Sequence, residues 1–420
     1  MEAWSLTEDK SKTNRKPPTG RLFYKDIFMT EKHYSLEEIR LRLNELDDQL
    51  LNLLAERRKF SIEVAKSKVE TAKPVRDAIR EQQLLVKLIN TGKEKYNLDA
   101  QYITKLFHTI IEDSVLLQQA YLQNLANPQL SRKPLARVAF LGAKGSYSHL
   151  ATREYFSRKN TELIELNCDQ FKEVTKTVES GHADYGVLPI ENTSSGSINE
   201  VYDLLQHTTL YIVGELTLPI EHCLVATSEL RLEELKILYS HPQPHQQCSE
   251  FLSRLKGVTL ETCASTADAM QKVQQLNRND VAAIGNASSG KLYGLQSIKS
   301  NIANQTENQT RFIVVARKPV EVSTQIPAKT TLIMSTSQQA GSLVESLLVL
   351  QRYGINMTKL ESRPIMGNPW EEMFYVDLES HLDSIEMQQA LNELTKITKH
   401  LKVLGCYPSE NVKPTQVKLQ

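Results

Sequence analysis

The sequence of 420 residues predicts a multidomain chain: an all-α helical domain, a two-lobed α/β domain, and an α+β domain of ferredoxin-like order. Three observations carry this. From Leu36 onward, apolar residues recur at alternating spacings of three and four, the stripe of a helix packed on another helix. Between 137 and 317, short buried-strand patterns alternate with helical ones, the α/β signature. From 330 the order is strand, helix, strand, strand, helix, strand, or β-α-β-β-α-β. The expected spans are a disordered extension over 1–30, the all-α domain over 31–128, the α/β domain over 135–318 and the last domain over 329–410.

The polar extension contains "NRKPPTG", although Trp4, Phe23, Tyr24 and Phe28 could dock elsewhere. The first helix opens on the capping box formed by Ser35 and Glu38. Its stripe is Leu36, Ile39, Leu43, Leu46, Leu50 and Leu53, then Arg57, then Phe60 and Val64. Nothing breaks it before about Lys68. A second helix is expected with Pro74 in its first turn, running to about Asn90, with Gly92 as its stop. A third starts near Asp99, carries Ile103, Phe107, Ile110, Leu117 and Tyr121, and ends before Asn127 and Pro128. The first helix would be about 50 Å long at ~1.5 Å per residue. Two shorter helices can hardly cover it, so a second copy of the chain is expected to cover the rest as a dimer.

"SRKPLA" (131–136) reads as a linker. The segments "RVAFLG", "YGVLPI", "LYIVGEL", "HCLVAT", "KILYS", "VAAIG" and "RFIVVAR" then read as strands, with helices at 199–206, 246–255 and 266–276. This span suits two small lobes with a cleft between them. "KPVEVSTQIPAK" (318–329) reads as a second linker.

Fifty basic and fifty acidic residues give a formal net charge of zero, so no broad footprint for nucleic acid or an anionic membrane is expected. No apolar run reaches the ~18 residues of a membrane span. Residues 1–30 lack an apolar signal core, which points to a cytoplasmic protein. Five cysteines without close metal spacing read as reduced thiols. His241 and His245 are a poor metal pair, because Pro242 and Pro244 argue against a regular helix there.

Arg57 is a charge in an apolar seam, which costs several kcal/mol unless a carboxylate or a ligand meets it. Arg40 sits beside seam residue Ile39, and Lys68 lies four residues beyond Val64. Ser114 and Gln118 share one face of the third helix. "VRDAIRE" adds Asp77, Arg80 and Glu81. Together these suit a small dianion gripped by bidentate arginine, with catalysis by holding a conformation and stabilising charge. The alternative is a set of interior salt bridges, Arg57 to Asp77 or Glu81 for example.

"LLAERR", "KPVRD" and "IIEDSVLLQQ" with their spacing resemble the chorismate mutase domain of the bifunctional chorismate mutase–prephenate dehydratases. "GAKGSYSH" (142–149), "VLPIENTSSGSINEVYDLL" (187–205), "YSHPQPHQQC" (239–248), "NQTRFIVVAR" (308–317), "ESRPIMGNPWEEMFY" (361–375) and "LGCYPSEN" (404–411) agree in the same order. The resemblance covers about residues 33–411.

It implies that Arg57 and Arg40 bind the two carboxylates of chorismate, with Arg40 supplied by the partner protomer. Lys68 and Gln118 would hydrogen-bond the ether oxygen as the C–O bond breaks. Glu81 would hold the ring hydroxyl, Asp77 and Ser114 would line the site, and Arg80 would touch a carboxylate or support those that do. A neutral Gln118 donates at any pH, whereas glutamate there would have to stay protonated.

For the middle domain the resemblance implies conversion of prephenate to phenylpyruvate, CO₂ and water. Thr310 would donate to the leaving hydroxyl, and Asn192, Thr193 and Ser194 of "PIENTSSGS" would bind substrate. Read alone, that loop is an ordinary helix cap and Thr310 an ordinary strand residue. The glycines of "GAKGSYSH" are expected to expose backbone N–H groups to anions.

The last domain resembles the ACT amino-acid-sensing fold. Gly341, Ser342, Leu343 and Val344, with Glu361, Ser362, Arg363 and Pro364, would form a phenylalanine site between paired domains, for feedback inhibition. No metal or organic cofactor is implied. Relatives usually have proline at Ala143 and alanine at Ser342. Two other readings stay open: a non-catalytic amino-acid sensor, and a solute-binding protein built on the two-lobed domain.

Overall fold

In a computed structural model of the chain, the described residues are 34–131, 135–159, 161–305, 307–365, 367–368 and 370–410. The expected extension over 1–30, with Trp4, Phe23, Tyr24 and Phe28, lies outside them, as do residues 132–134 of the first expected linker. The chain divides into one unit up to Lys59 and another from Phe60 onward.

Four helices come first: α1 (Leu36–Thr71), α2 (Ala78–Tyr96), α3 (Ala100–Ala126) and the short α4 (Pro128–Ser131). The capping box forms: Ser35 N–H donates to Glu38 and Glu38 N–H to Ser35 Oγ. The stripe of α1 is left uncovered in the single chain, with Leu46 59% and Leu50 52% exposed.

Two expectations for α2 need correction. It starts at Ala78 rather than at Pro74, because Asp77 caps it by accepting from Arg80 N–H. It runs past Asn90 to Tyr96 and ends on Asn97 in the left-handed conformation. Gly92 is not the stop. It is buried inside the helix, where a Cβ would lie 2.2 Å from Ile103 Cδ1 of α3. Its missing side chain permits close helix packing.

The α/β region follows as β1 (Leu135–Leu141), α5 (Tyr147–Ser157), β2 (Glu162–Cys168), α6 (Phe171–Glu179), β3 (Tyr185–Asn192), β4 (Gly196–Ser197), α7 (Asn199–His207) and β5 (Tyr211–Pro219). The chain then builds a second sheet from β6 (Cys223–Ala226), β7 (Ile237–Ser240), α8 (Pro242–Gln247), α9 (Ser249–Leu252), β8 (Thr259–Thr262), α10 (Thr266–Leu276), β9 (Val281–Gly285), α11 (Ala287–Leu292) and β10 (Gln296–Lys299). It returns to the first sheet with β11 (Gln309–Ala316). The orders are β2-β1-β3-β11-β5, with β4 on β3, and β10-β6-β9-β7-β8. Two sheets joined by two crossings make the two lobes.

Strands β2, β8 and β10 escape the sequence patterns because they are edge strands with exposed or mixed faces. The single helix expected at 246–255 is α8 followed by α9, broken at Cys248. Pro242 and Pro244 do start a helix, contrary to expectation. His241 is its N-cap, so both prolines fall in the first turn, where N–H groups need no intrahelical acceptor.

The last region is β12 (Ala328–Thr336), α12 (Ser342–Arg352), β13 (Asn356–Pro364), β14 (Glu372–Glu379), α13 (Ile385–Ile397) and β15 (Thr398–Pro408). Its antiparallel sheet, ordered β13-β14-β12-β15, has the expected ferredoxin-like arrangement. Residues 318–329 are no free linker. Ile326 is buried with Val75, Leu85 and Ile111. Gln325 accepts from Val75 N–H and donates to the Lys68 and Lys73 carbonyls.

Candidate active sites

In the helical region, Lys68 occupies the last turn of α1. Its Nζ donates to Gln118 Oε1 at 3.0 Å and to the Val75 carbonyl. Gln118 is 6% exposed, and its Nε2 donates to the Ser114 carbonyl one turn back, at 3.1 Å. Ser114 is also buried and donates to the Ile110 carbonyl. Burial pulls the Lys68 ammonium below the usual lysine range, opposed by Asp77 and Glu81.

Glu81, in the first turn of α2, lies 3.6 Å from Arg76, which also binds both oxygens of Glu112 at 2.6 Å. Sequence reading passed over Arg76. It stands in the loop before α2, where no periodicity marks it, yet its side chain is only 10% exposed. Asp77 is exposed and engaged as the helix cap, and Arg80 is exposed. Arg40, exposed, and Arg57, half-buried, lie on α1 in the other unit. The Phe60–Gln420 unit thus gathers cations, a neutral amide and a carboxylate, a set able to hold an anion beside a hydroxyl.

In the two-lobed region, Thr310 of β11 pairs in register with Asn192 of β3, and both are buried, at 7% and 5% exposure. Asn192 Oδ1 accepts from Ser194 N–H, Ser195 N–H and Ser195 Oγ at 2.9–3.1 Å. Two backbone donors fix which way this amide faces. Its Nδ2 therefore donates to Thr310 Oγ1 at 2.8 Å and to Asn308 Oδ1 at 2.7 Å. Thr310 receives that bond as an acceptor, so its own proton remains available to another acceptor.

The loop after β3 is held on all sides. Thr193 Oγ1 accepts from Gln309 N–H and donates to the Glu307 carbonyl. Ser194 donates to Gln305. Gln243 of α8 reaches across from the second sheet to Ser195 Oγ at 3.0 Å.

The "GAKGSYSH" loop differs from expectation. Gly142 and Gly145 do take positive φ, 85° and 88°. Three of the loop's N–H groups are engaged internally, however: Gly142 to the Cys168 carbonyl, Gly145 to His149 Nδ1, and Ser146 to the Ala143 carbonyl. What the loop presents is Tyr147, whose hydroxyl donates to the Glu221 carbonyl and sits 3.2 Å from His222 Nδ1. Gln247 is on the other side of that imidazole, at 2.7 Å. Burial pulls His222 below the usual histidine range, with Gln247 opposing. The polar group formed by Tyr147, His222 and Gln247 was legible only as isolated letters, because its members come from α5, the residue before β6 and α8.

In the last region, Gly341 precedes α12 at φ 89°. Ser342 Oγ donates to the Gln339 carbonyl and lies 2.8 Å from Ser337 Oγ, so its hydroxyl is engaged locally. Leu343 packs on the domain core while Val344 is exposed. Across on β13, Glu361 lies 3.3 Å from Lys359. Arg363 grips Asp203 of α7 through two bonds. Ser362 and Pro364 are exposed along the same strand.

Among the described residues no group of three or more His, Cys, Asp or Glu side chains could hold a metal ion, and all five cysteines are free and buried. No described helix is long and apolar enough to cross a membrane.

Residues 39–119 match the chorismate mutase type II family, and residues 138–320 match the prephenate dehydratase family. The chain is 57% identical over 379 residues to a bifunctional chorismate mutase/prephenate dehydratase of Enterobacter agglomerans, covering 90% of this chain and 97% of that one. It is 56% identical to the protein of that name from Escherichia coli K12, with the same coverage. A crystal structure of prephenate dehydratase from Arthrobacter aurescens in complex with L-Phe aligns with TM-score 0.60 and 25% identity, over 67% of this chain and 93% of that one. Two domain families in one order, with this identity over nine-tenths of the chain, leave one conclusion: the chain belongs to the bifunctional chorismate mutase/prephenate dehydratase family.

Proposed function

We propose that chorismate rearranges to prephenate in the helical domain, that prephenate loses its hydroxyl and carboxylate in the two-lobed domain, and that phenylalanine inhibits through the ACT-like domain. The observation that carries the catalytic reading is the directed pair in which Asn192 donates to Thr310 and leaves the threonine proton for a leaving hydroxyl. Thr193 and Ser194 stand beside that pair. Gly341, Ser342, Leu343 and Val344 face the ligand with Glu361, Ser362, Arg363 and Pro364. In the helical site Lys68 and Gln118 meet the ether oxygen, Glu81 meets the hydroxyl, and Arg57 and Arg40 meet the carboxylates. Ser114, Asp77 and Arg80 complete its lining.

Assembly follows from the uncovered leucines of α1. A second copy covers them, and Arg40 enters the partner's site from it. An exposed apolar stripe of this length on a helix is the mark of an interaction surface. Cytoplasmic residence is part of the same reading.

One assay tests the whole scheme: purified chain with chorismate, with and without phenylalanine, products separated over time. Phenylpyruvate should appear, and less of it when phenylalanine is added. Unchanged chorismate would favour a non-catalytic sensor.

The Lys68 environment adds a prediction. The ammonium must be protonated to donate, and burial lowers its pKa. Mutase turnover should therefore decline as pH rises, with a midpoint below the ordinary lysine value of ~10.4. In Lys68→Arg the alkaline decline should vanish from the pH–rate profile. A profile identical in both chains would remove Lys68 from the mechanism.

A further inference from the structure

The residues next to the Thr310–Asn192 pair form a second pair of a different kind. Arg311 and Glu191 are also in register across β11 and β3. Successive strand residues point to opposite faces, so this charged pair lies behind the Thr310–Asn192 pair. On that rear face lies the ACT-like sheet. There Lys359 of β13 and Asp377 of β14 are likewise in register, and neighbours in register share a face.

The two pairs meet with charges matched. Lys359 Nζ donates to Glu191 at 2.8 Å. Arg311 donates to Asp377 at 2.5 Å. Arg311 is further held by Glu215 at 2.8 Å and by the Tyr407 hydroxyl at 3.1 Å, and Asp377 accepts from Thr331. Asp377 and Glu215 are buried, and the Arg311 side chain is 15% exposed. Lys359 has a second carboxylate partner, Glu361, the first residue of the "ESRP" segment. Burial works against charge on Lys359, but Glu191 and then Glu361 lift its pKa above the usual lysine range, so it stays charged.

We propose that Arg311 and Glu191 are positioning residues for Thr310 and Asn192, and that Asp377 and Lys359 set their placement from the regulatory sheet. This rests on the reading of Thr310 and Asn192 as dehydration residues. Each charged residue is joined by one peptide unit to its polar neighbour. A shift of the regulatory sheet that draws Lys359 toward Glu361 or away from Glu191 thus moves the amide that orients the Thr310 hydroxyl. Displacements of ~1 Å at such groups cost up to ~100-fold in rate. The Arg311–Asp377 bond is largely buried, the Lys359–Glu191 bond is partly exposed, and a packed interface shifts between discrete arrangements rather than yielding gradually.

The test compares Lys359→Met, Lys359→Arg, Asp377→Asn and Thr310→Ala in the full chain. Mutase turnover in the same samples reports folding. Lys359→Met and Asp377→Asn are expected to lower dehydratase kcat ~tenfold while KM changes less than twofold, with Lys359→Arg restoring most of the loss. Calorimetry should show phenylalanine still bound by Lys359→Met while its maximal inhibition falls. Wild-type kcat in both Lys359→Met and Asp377→Asn, with Thr310→Ala inactive, overturns the positioning role and leaves the site reading standing. Full dehydratase activity in Thr310→Ala overturns the site reading instead. Loss of mutase in Asp377→Asn marks misfolding, and the variant at the less buried Lys359, Lys359→Met, then decides the proposal by the same kcat criterion.

Discussion

Thr310→Ala is expected to lower dehydratase activity by ~10²–10³-fold, the usual cost of deleting one aimed donor from an active site, while mutase turnover should stay within twofold. Thr310 lies in β11 and bonds Asn192 of β3, whereas Lys68 and Gln118 bond each other between α1 and α3. The substitution leaves Asn192 Nδ2 two other acceptors, the Asn308 side chain and the Gln309 carbonyl. The fold should therefore survive with a loss of ~1 kcal/mol. Prephenate supplied directly, with phenylpyruvate followed by absorbance, reads the dehydratase without the mutase. Thr310→Ser, which keeps the hydroxyl, should recover much of the rate. A Thr310→Ala chain with more than half of wild-type dehydratase activity would mean that the hydroxyl is a strand ornament and that the leaving group is protonated elsewhere.

Arg57→Ala should do the reverse and remove mutase activity by ~10²–10⁴-fold. A bidentate arginine–carboxylate contact makes two charge-assisted bonds, each worth ~1.5–3 kcal/mol, and ~1.4 kcal/mol is tenfold. Dehydratase turnover of added prephenate should be unchanged. The proposed dimer gives this prediction a second arm. If Arg40 of one protomer completes the site built on Arg57 of its partner, Arg40→Ala and Arg57→Ala chains are each inactive alone. Mixed and re-equilibrated, they form hybrids with one intact site, and mutase activity should return to about a quarter of wild type. No recovery in hybrids shown to form would place both arginines in the same protomer's site. Loss of both activities in Arg57→Ala at intact folding would defeat the separate-site scheme.

Periodicity made the helical region, the buried strands and the ferredoxin-like order legible, because each buries one face and writes that face at a period of 3.6 or 2. It failed where burial is incomplete. Edge strands β2, β8 and β10 have no continuous apolar face to announce them. It failed also at α2, where Pro74 and Gly92 looked like a start and a stop. A capping aspartate three residues later and close packing on Ile103 decided otherwise. Residues 318–329 looked like a linker because they are polar and proline-bearing, yet Ile326 and Gln325 dock them on the helices.

By itself the sequence determined the domain order and the family, and it supplied the residue types proposed for each site: arginines, lysine and a neutral amide for one, threonine and asparagine for the other. Tertiary structure alone decided which of these meet. It joined Lys68 to Gln118, fifty residues apart, and revealed Arg76 between Glu81 and Glu112. It gave Asn192 its orientation through Ser194 and Ser195. It also set Lys359 and Asp377 behind the pair that flanks Thr310. The physical reason is range. Periodic burial and capping act between near neighbours and leave a trace in the sequence. Hydrogen bonds and ion pairs between distant strands depend on register, which one-dimensional patterns do not record.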